Sequence, residues 1–257
     1  MKKLMTGNEA VARGAYEAGV LVASAYPGTP STEILENLIE YKEALYAEWA
    51  PNEKVAMEVA IGASIAGVRA FAAMKHVGVN VAADPLFTLG YTGVTGGFVF
   101  VSADDPGCHS SQNEQDNRYY AKFAKIACIE PSDSQEAKDF VKEAYNISEM
   151  YDVPVMLRLT TRVCHSKSMV MLEDRVEAPF KPYVKNGKKY IAAPANAKKL
   201  HPIVEDRLKA LEAFSNETPL NRFEWHDKKI GIITSGIAFQ YAKEVFGDEA
   251  SYLKIGF

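Results

Sequence analysis

Cysteine is scarce: Cys108, Cys128 and Cys164 are the only three in 257 residues, far apart and without a CxxC pair. This argues against a disulfide framework and against a cysteine-ligated zinc or iron–sulfur site on the chain, and it favours a reducing, cytoplasmic setting. Long apolar runs are missing too. Nothing approaches the roughly 20 residues of a membrane span, and the opening MKKLMTGNEAVARGA lacks the apolar stretch of a secretion signal. There is no basic excess either. Lys and Arg number 29 against 33 Asp and Glu, a net charge of −4, and their scatter gives no stripe for nucleic acid. What is present, 47% hydrophobic and 24% charged residues, suits a soluble globular chain with a core of one large or two modest domains.

Strand and helix signals alternate along the chain. Residues 8–19 have apolar positions at helical spacing, and 20–25 form a short apolar run suited to a buried parallel strand. The loop AYPGTPS follows, with Thr29 expected as N-cap and Pro30 as the first helical residue. Strands are expected at 46–49, 70–74, 96–103, 126–129 and 153–159, with helices between them. The pattern predicts an α/β fold, a mostly parallel sheet with helices on both faces. Composition shifts to Lys, Pro and polar residues after Cys164. We expect a first domain at 1–165, a linker and helix at 166–226, and at 227–257 the start of a second α/β unit cut short. A two-stranded piece is too small to hold its own core, so it should dock on the first domain unless a longer polypeptide completes it.

The stretch NEKVAMEVAIGASIAGVR, 52–69, stands out. Asn52 suits an N-cap, which puts Glu53 in the first helical turn, where free backbone N–H groups favour a carboxylate. Ala56, Ala60, Ala63, Ser64 and Gly67 recur at spacings of three and four, keeping one face low enough for close approach. Gly62 and Gly67 each cost about 1 kcal/mol against Ala inside a helix. On these grounds alone Glu53 reads as a capping acid on a buried helix.

Five segments in order change that reading: GNEAVARGAYEAG, AYPGTPSTEI, NEKVAMEVAIGASIAG, MKHVGVNVAADP and DDPGCHSSQNEQDNR. Together they resemble the 2-oxoacid:ferredoxin oxidoreductases, and within them the alpha subunits of the indolepyruvate type, over about residues 4–175. The resemblance implies a pyrimidine-binding domain of the thiamine-diphosphate enzymes. In such domains a glutamate hydrogen-bonds the aminopyrimidine ring and favours the tautomer that takes the thiazolium C2 proton; Glu53 stands at that place. Tyr26 and Pro27 lie in the loop expected beside the cofactor. Thr29 matches the threonine that contacts the 2-oxoacid in the wider group, although a hydroxyl there also suits a helix cap. Lys75 and His76 lie in the segment peculiar to the indolepyruvate type and could meet the substrate carboxylate or move a proton.

The resemblance also implies oxidative decarboxylation of an aryl 2-oxoacid to acyl-CoA, with electrons passing to ferredoxin. Related pyruvate enzymes carry an arginine after the strand equivalent to 96–103. Here Asp104 and Asp105 follow, so carboxylate recognition falls to Lys75, His76 or Arg118. Glu58, five residues past Glu53, should face elsewhere and serve packing or a surface pair. Cys108 and His109 are adjacent, point apart and lack an orienting acid, which argues against a nucleophile pair. The aspartates of the loop lack calcium-loop spacing, so no metal site is expected on this chain. No GDG motif and no CxxCxxC run appear. Magnesium, the diphosphate site and 4Fe-4S clusters are therefore expected elsewhere in the complex, on a diphosphate-binding domain or second subunit, in a dimer or hetero-oligomer. Two alternatives remain: the alpha chain of a non-oxidative two-subunit 2-oxoacid decarboxylase, and a non-catalytic structural subunit.

Overall fold

The computed structural model describes residues 1–257. The chain opens with β1 (Lys2–Thr6) and α1 (Gly7–Glu17), joined by a capping box in which the Thr6 hydroxyl accepts from Glu9 N and Glu9 accepts from Thr6 N. Then follow β2 (Val22–Ala25), α2 (Thr32–Ile39), β3 (Tyr46–Trp49), α3 (Glu53–Ala66), β4 (Ala70–Lys75), α4 (His76–Val81), α5 (Ala83–Thr92) and β5 (Phe98–Asp104). The main sheet and its helices are completed by α6 (Arg118–Ala124), β6 (Ala127–Ile129), α7 (Ser134–Tyr151), β7 (Val155–Thr160) and α8 (Thr161–His165). Beyond it lie β8 (Lys167–Met171), α9 (Gly187–Tyr190), α10 (Pro194–Ser215), β9 (Arg222–Glu224), β10 (Gly231–Ser235), α11 (Gly236–Phe246) and β11 (Ser251–Ile255).

Six strands form one parallel sheet in the order β3-β2-β4-β5-β7-β6. The expected α/β fold, a parallel sheet with helices on both faces, is borne out. Every residue of β5 and β7 is buried, which is why their sequences, FVFVSAD and VMLRLT, carry little surface alternation. Helix α1 packs on α2 and α7, and α3 on α5, so the sheet is covered by two helical layers around a core cluster of 51 buried residues. Gly14 brings α1 against α7: a Cβ there would lie 2.4 Å from the Lys138 carbonyl oxygen.

Strand order reverses between β2 and β4, because the chain first winds outward to β3 and then returns to the other side of β2. In open α/β sheets this crevice, at the carboxyl ends of the strands, is where ligands bind.

Three local expectations need correcting. Thr29 is not an N-cap and Pro30 is not helical: α2 begins at Thr32, and residues 28–31 form a compact turn instead. In that turn Ser31 N and Oγ both donate to the Gly28 carbonyl, and Gly28 N donates to Thr32 Oγ1. The 75–93 segment, where a helix is expected between two strands, forms two helices that meet at Ala82. The stretch after Cys164 is not all linker. Its β8 pairs antiparallel with β1, a strand that local pattern misses because only Met5 of it is buried.

The C-terminal strands form a second sheet, β10-β11-β9, docked at the β6 edge of the first. Lys254 of β11, fully buried, donates to Glu136 of α7 at 2.6 Å, and Arg222 reaches the same carboxylate at 2.5 Å. Glu130 N donates to the Gly256 carbonyl at 2.9 Å.

Candidate functional site

The carboxyl edge of the main sheet collects most of the residues singled out above. Asn52 adopts extended backbone and its side chain accepts from Val55 N at 3.0 Å, so α3 starts as expected and Glu53 occupies its first turn. Glu53 is half-buried, and its side chain takes no part in any hydrogen bond or ion pair of the chain. Its neighbouring cation is spent elsewhere: Lys54 pairs with Asp84 at 2.9 Å and with Glu58 at 3.9 Å. Glu58 therefore serves the surface pair foreseen for it.

The Glu53 side chain lies against Gly78 of α4. A Cβ at Gly78 would stand 2.7 Å from both Cγ and Oε1 of Glu53, closer than real Cβ atoms come. Gly78, in the middle of the KHVGVN segment, was not among the residues picked from sequence. Its signal there was a glycine in a short helix straight after a strand, at a cost that only a close approach offsets. Of the two helix glycines that were picked, Gly67 closes α3 in the left-handed conformation at φ 105°, whereas a Cβ at Gly62 would meet nothing within 4 Å.

The switch-point crevice has the YPGTP loop on one wall and Lys75 and His76 on the other. Tyr26, Pro27 and Thr29 are exposed, and the Thr29 hydroxyl makes no hydrogen bond in the chain. The capping role for Thr29 thus falls away. Gly28 lets the Lys75 side chain lie across the loop, since a Cβ there would be 3.0 Å from Lys75 Cδ. Structure therefore brings Lys75 beside the Thr29 turn.

The polar loop after β5 folds back on this wall. Lys75 Nζ donates to the Ser110 carbonyl at 2.9 Å, and His76 Nε2 to the Asn113 carbonyl at 3.0 Å. A carbonyl only accepts, so Nε2 carries the hydrogen, and the fully buried Nδ1 is left as an acceptor without a partner. Two aspartates tether the loop. Asp104 accepts from Asn117 N at 3.0 Å, Ser102 Oγ at 3.1 Å and Arg158 at 2.8 Å; burial raises its carboxyl despite the pull of Arg158. Asp105 accepts from Thr161 at 2.6 Å, Ser110 N at 2.7 Å and Ser111 at 2.8 Å. Burial alone would raise Asp105, but these hydrogen bonds hold it at about 2. Asn117 completes the tie by donating to the His76 carbonyl at 3.0 Å. Asp104 and Asp105 thus form a scaffold for the loop.

Arg118 lies apart from this crevice. It pairs with Asp116 at 2.8 Å and Glu130 at 3.7 Å, and the Asp116 hydrogen bond raises its basicity further. With Cys128, Ile233, Ser235 and Phe257 it lines a cavity of about 410 Å³ between the first sheet and the C-terminal unit. Burial pushes the Cys128 thiol up to about 12, which keeps it protonated at neutral pH.

A doubly wound sheet, a reversed strand order and an unspent carboxylate beside the switch point define a ligand-binding α/β domain. Over residues 13–218 the chain matches, and belongs to, the family described as pyruvate flavodoxin/ferredoxin oxidoreductase, thiamine diP-bdg, that is, thiamine-diphosphate-binding. The indolepyruvate oxidoreductase subunit IorA of Archaeoglobus fulgidus is 48% identical over 251 residues, covering 95% of this chain and 40% of that protein. Its counterpart from Methanothermobacter thermautotrophicus is 45% identical over 264 residues, covering 100% and 43%. The 2-oxoglutarate synthase subunit KorA of the latter organism is 31% identical over 179 residues, covering 66% and 48%. The resemblance read from the five segments is borne out. The chain spans 40% to 43% of the length of these two IorA relatives. A solved 2-oxoglutarate:ferredoxin oxidoreductase from Magnetococcus marinus, with 2-oxoglutarate, coenzyme A and succinyl-CoA bound, has the same fold. Its TM-score is 0.76 at 17% identity, covering 98% of this chain and 53% of that one.

The residues at the edge fit a thiamine ring: an unspent carboxylate against Gly78, with the exposed YPGTP loop at the same edge. No helix is long and apolar enough to cross a membrane.

Proposed function

We propose that the chain supplies the pyrimidine-side half of a thiamine-diphosphate site for oxidative decarboxylation of aryl 2-oxoacids, indolepyruvate type, to acyl-CoA. Electrons would pass to ferredoxin through iron–sulfur clusters carried elsewhere in the complex, with magnesium and the diphosphate held by a partner domain or subunit. The observation that carries this reading is Glu53, a half-buried carboxylate with no partner in the chain and lying against Gly78. The 48% identity to an indolepyruvate oxidoreductase subunit supports the substrate class.

When bound, the cofactor supplies a nucleophilic carbon and an electron sink for loss of carbon dioxide. Each residue then has a task. Glu53 shares a proton with the pyrimidine ring nitrogen, and Tyr26 and Pro27 bound the ring with a loop of little freedom. Thr29 offers an uncommitted hydroxyl to the 2-oxoacid, and Lys75 the nearest ammonium to its carboxylate; leaving the Ser110 carbonyl would free all three N–H donors of Lys75. His76 positions the crevice wall and offers Nδ1 as a proton acceptor. Arg118, already paired with Asp116 and Glu130, is the more remote candidate for the carboxylate. Residues 1–165 act as the pyrimidine-binding domain, 166–226 as linker and helix, and 227–257 as part of a further α/β unit. The open face at Gly62 is offered as a contact for a partner domain or second copy.

The test is reconstitution of the complete enzyme followed by measurement of indolepyruvate-dependent dye reduction in the presence of coenzyme A. Dye reduction with acyl-CoA formation is expected. Aldehyde release without dye reduction would identify a decarboxylase instead, and the lack of both products would leave a structural subunit.

A further inference from the structure

Residues 178–204 carry six lysines and no aspartate or glutamate, within a chain of net charge −4. Helices α9 and α10 fold part of this stretch beside the ends of α5 and α7. Those ends precede β5 and β7, so the location is the amino edge of the main sheet, opposite Glu53. A cavity of about 350 Å³ lies there, within the size range of small-molecule sites. Lys188, Lys189, Lys199 and Arg207 line it against a single carboxylate, Asp152.

Arg207 is only 7% exposed. It donates to the Gly90 carbonyl at 2.9 Å and, weakly, to Asp152 at 3.5 Å, which leaves most of the five N–H donors of a guanidinium unspent. Burial lowers its basicity, and Asp152 only partly opposes this. Helix C-termini attract cations, and that accounts for Arg207 on the Gly90 carbonyl and for Lys189, which binds Asp152 at 2.9 Å and the Val94 carbonyl at 2.7 Å. It does not account for Lys188 and Lys199, which enter no ion pair in the chain and sit at the mouth of a cavity with three more cations than anions. The remaining wall combines Thr92 and Asn186 with Tyr91, Leu200 and Ile203, which give it an aromatic and aliphatic surface.

We propose that this cavity binds a small phosphate-bearing molecule, its phosphates held by Lys188, Lys199 and Arg207 and its body laid against Tyr91, Leu200 and Ile203. Guanidinium and ammonium groups together suit phosphate, the first by paired hydrogen bonds and the second as a point charge. The site is separate from the Glu53 crevice and stands whether or not the proposed function does.

Calorimetric titration of the full chain with ADP and with inorganic pyrophosphate at low ionic strength tests this. ADP is expected to bind with Kd below about 1 mM and more tightly than pyrophosphate, and to weaken as salt is added. The exposed pair Lys188→Gln and Lys199→Gln should reduce affinity about tenfold without altering the melting curve. Arg207→Lys should weaken binding further, while Glu53→Gln leaves it unchanged. No binding of either probe near 1 mM, or equal binding in the double lysine variant, would overturn the site. Pyrophosphate binding as tightly as ADP would overturn the role of the apolar wall.

Discussion

At the scale of single residues, the proposed chemistry rests on one carboxylate and the glycine beside it. Glu53 could be picked out from its place after Asn52 and from the segments around it. Gly78 could not, because its role depends on α4 folding over the start of α3, a tertiary contact that no local pattern records. Replacing Gly78 by Ala should favour the short helix, by up to about 1 kcal/mol, while forcing the Glu53 carboxylate aside. A displacement on the scale of 1 Å costs about 10²-fold in rate when it misaligns a reacting group. Turnover of the complete enzyme with the Gly78→Ala chain should therefore drop by about that factor while its denaturation midpoint holds or rises. Retained turnover would mean that Glu53 has room to relax and that Gly78 does not set its position. Thr29 illustrates the opposite error. TPSTE before an apolar run reads locally as a cap, and only the compact turn through Gly28 and Ser31 removes Thr29 from the helix and leaves its hydroxyl exposed.

At the scale of elements, the inner strands of the main sheet were legible because burial on both faces writes continuous apolar runs, as in FVFVSAD. The β1–β8 pair was not. Its partners are separated in sequence by the whole main sheet, and only Met5 and Val170 of the pair are buried. The loop after β5 could be seen as polar, but not as a layer over Lys75 and His76, since its order comes from Asp104 and Asp105 reaching back into it. Asp105 sets a pH window. Its folded value of about 2 lies below the ordinary aspartate value of about 3.9, so its contribution is complete above about pH 4 and is lost as pH falls toward 2. Amide hydrogen exchange at Ser110 should accelerate through that window, relative to core amides, in the native protein. In Asp105→Asn the same amide should already be poorly protected at neutral pH. Equal protection in both proteins would show that Asp105 does not order the loop.

At the scale of the whole molecule, two sheets are tied by a buried ion pair. Burial alone would raise the Glu136 carboxyl, but Lys254 and the Ser132 hydrogen bonds hold it below the ordinary range. Removing one partner leaves the other charge buried, so Glu136→Ala should cost about 3–5 kcal/mol, read by chemical denaturation. The joint change Glu136→Leu with Lys254→Met should recover most of that loss. Equal destabilisation by the single and joint changes would mean that packing, not charge, joins the sheets. The sequence foresaw that the last strands are too few to stand alone, but it did not identify this tie, whose residues lie 118 positions apart.

In the proposed function those sheets, layers and loops present Glu53, and the most direct test is proton exchange at C2 of thiamine diphosphate, followed by NMR in the complete enzyme. Glu53→Gln keeps the shape of the side chain and removes the exchangeable carboxyl proton. Exchange should slow by about 10²–10⁴-fold, the usual contribution of a placed acid or base, with folding unchanged. Exchange at the unaltered rate would contradict the assignment of Glu53 as the cofactor-activating residue.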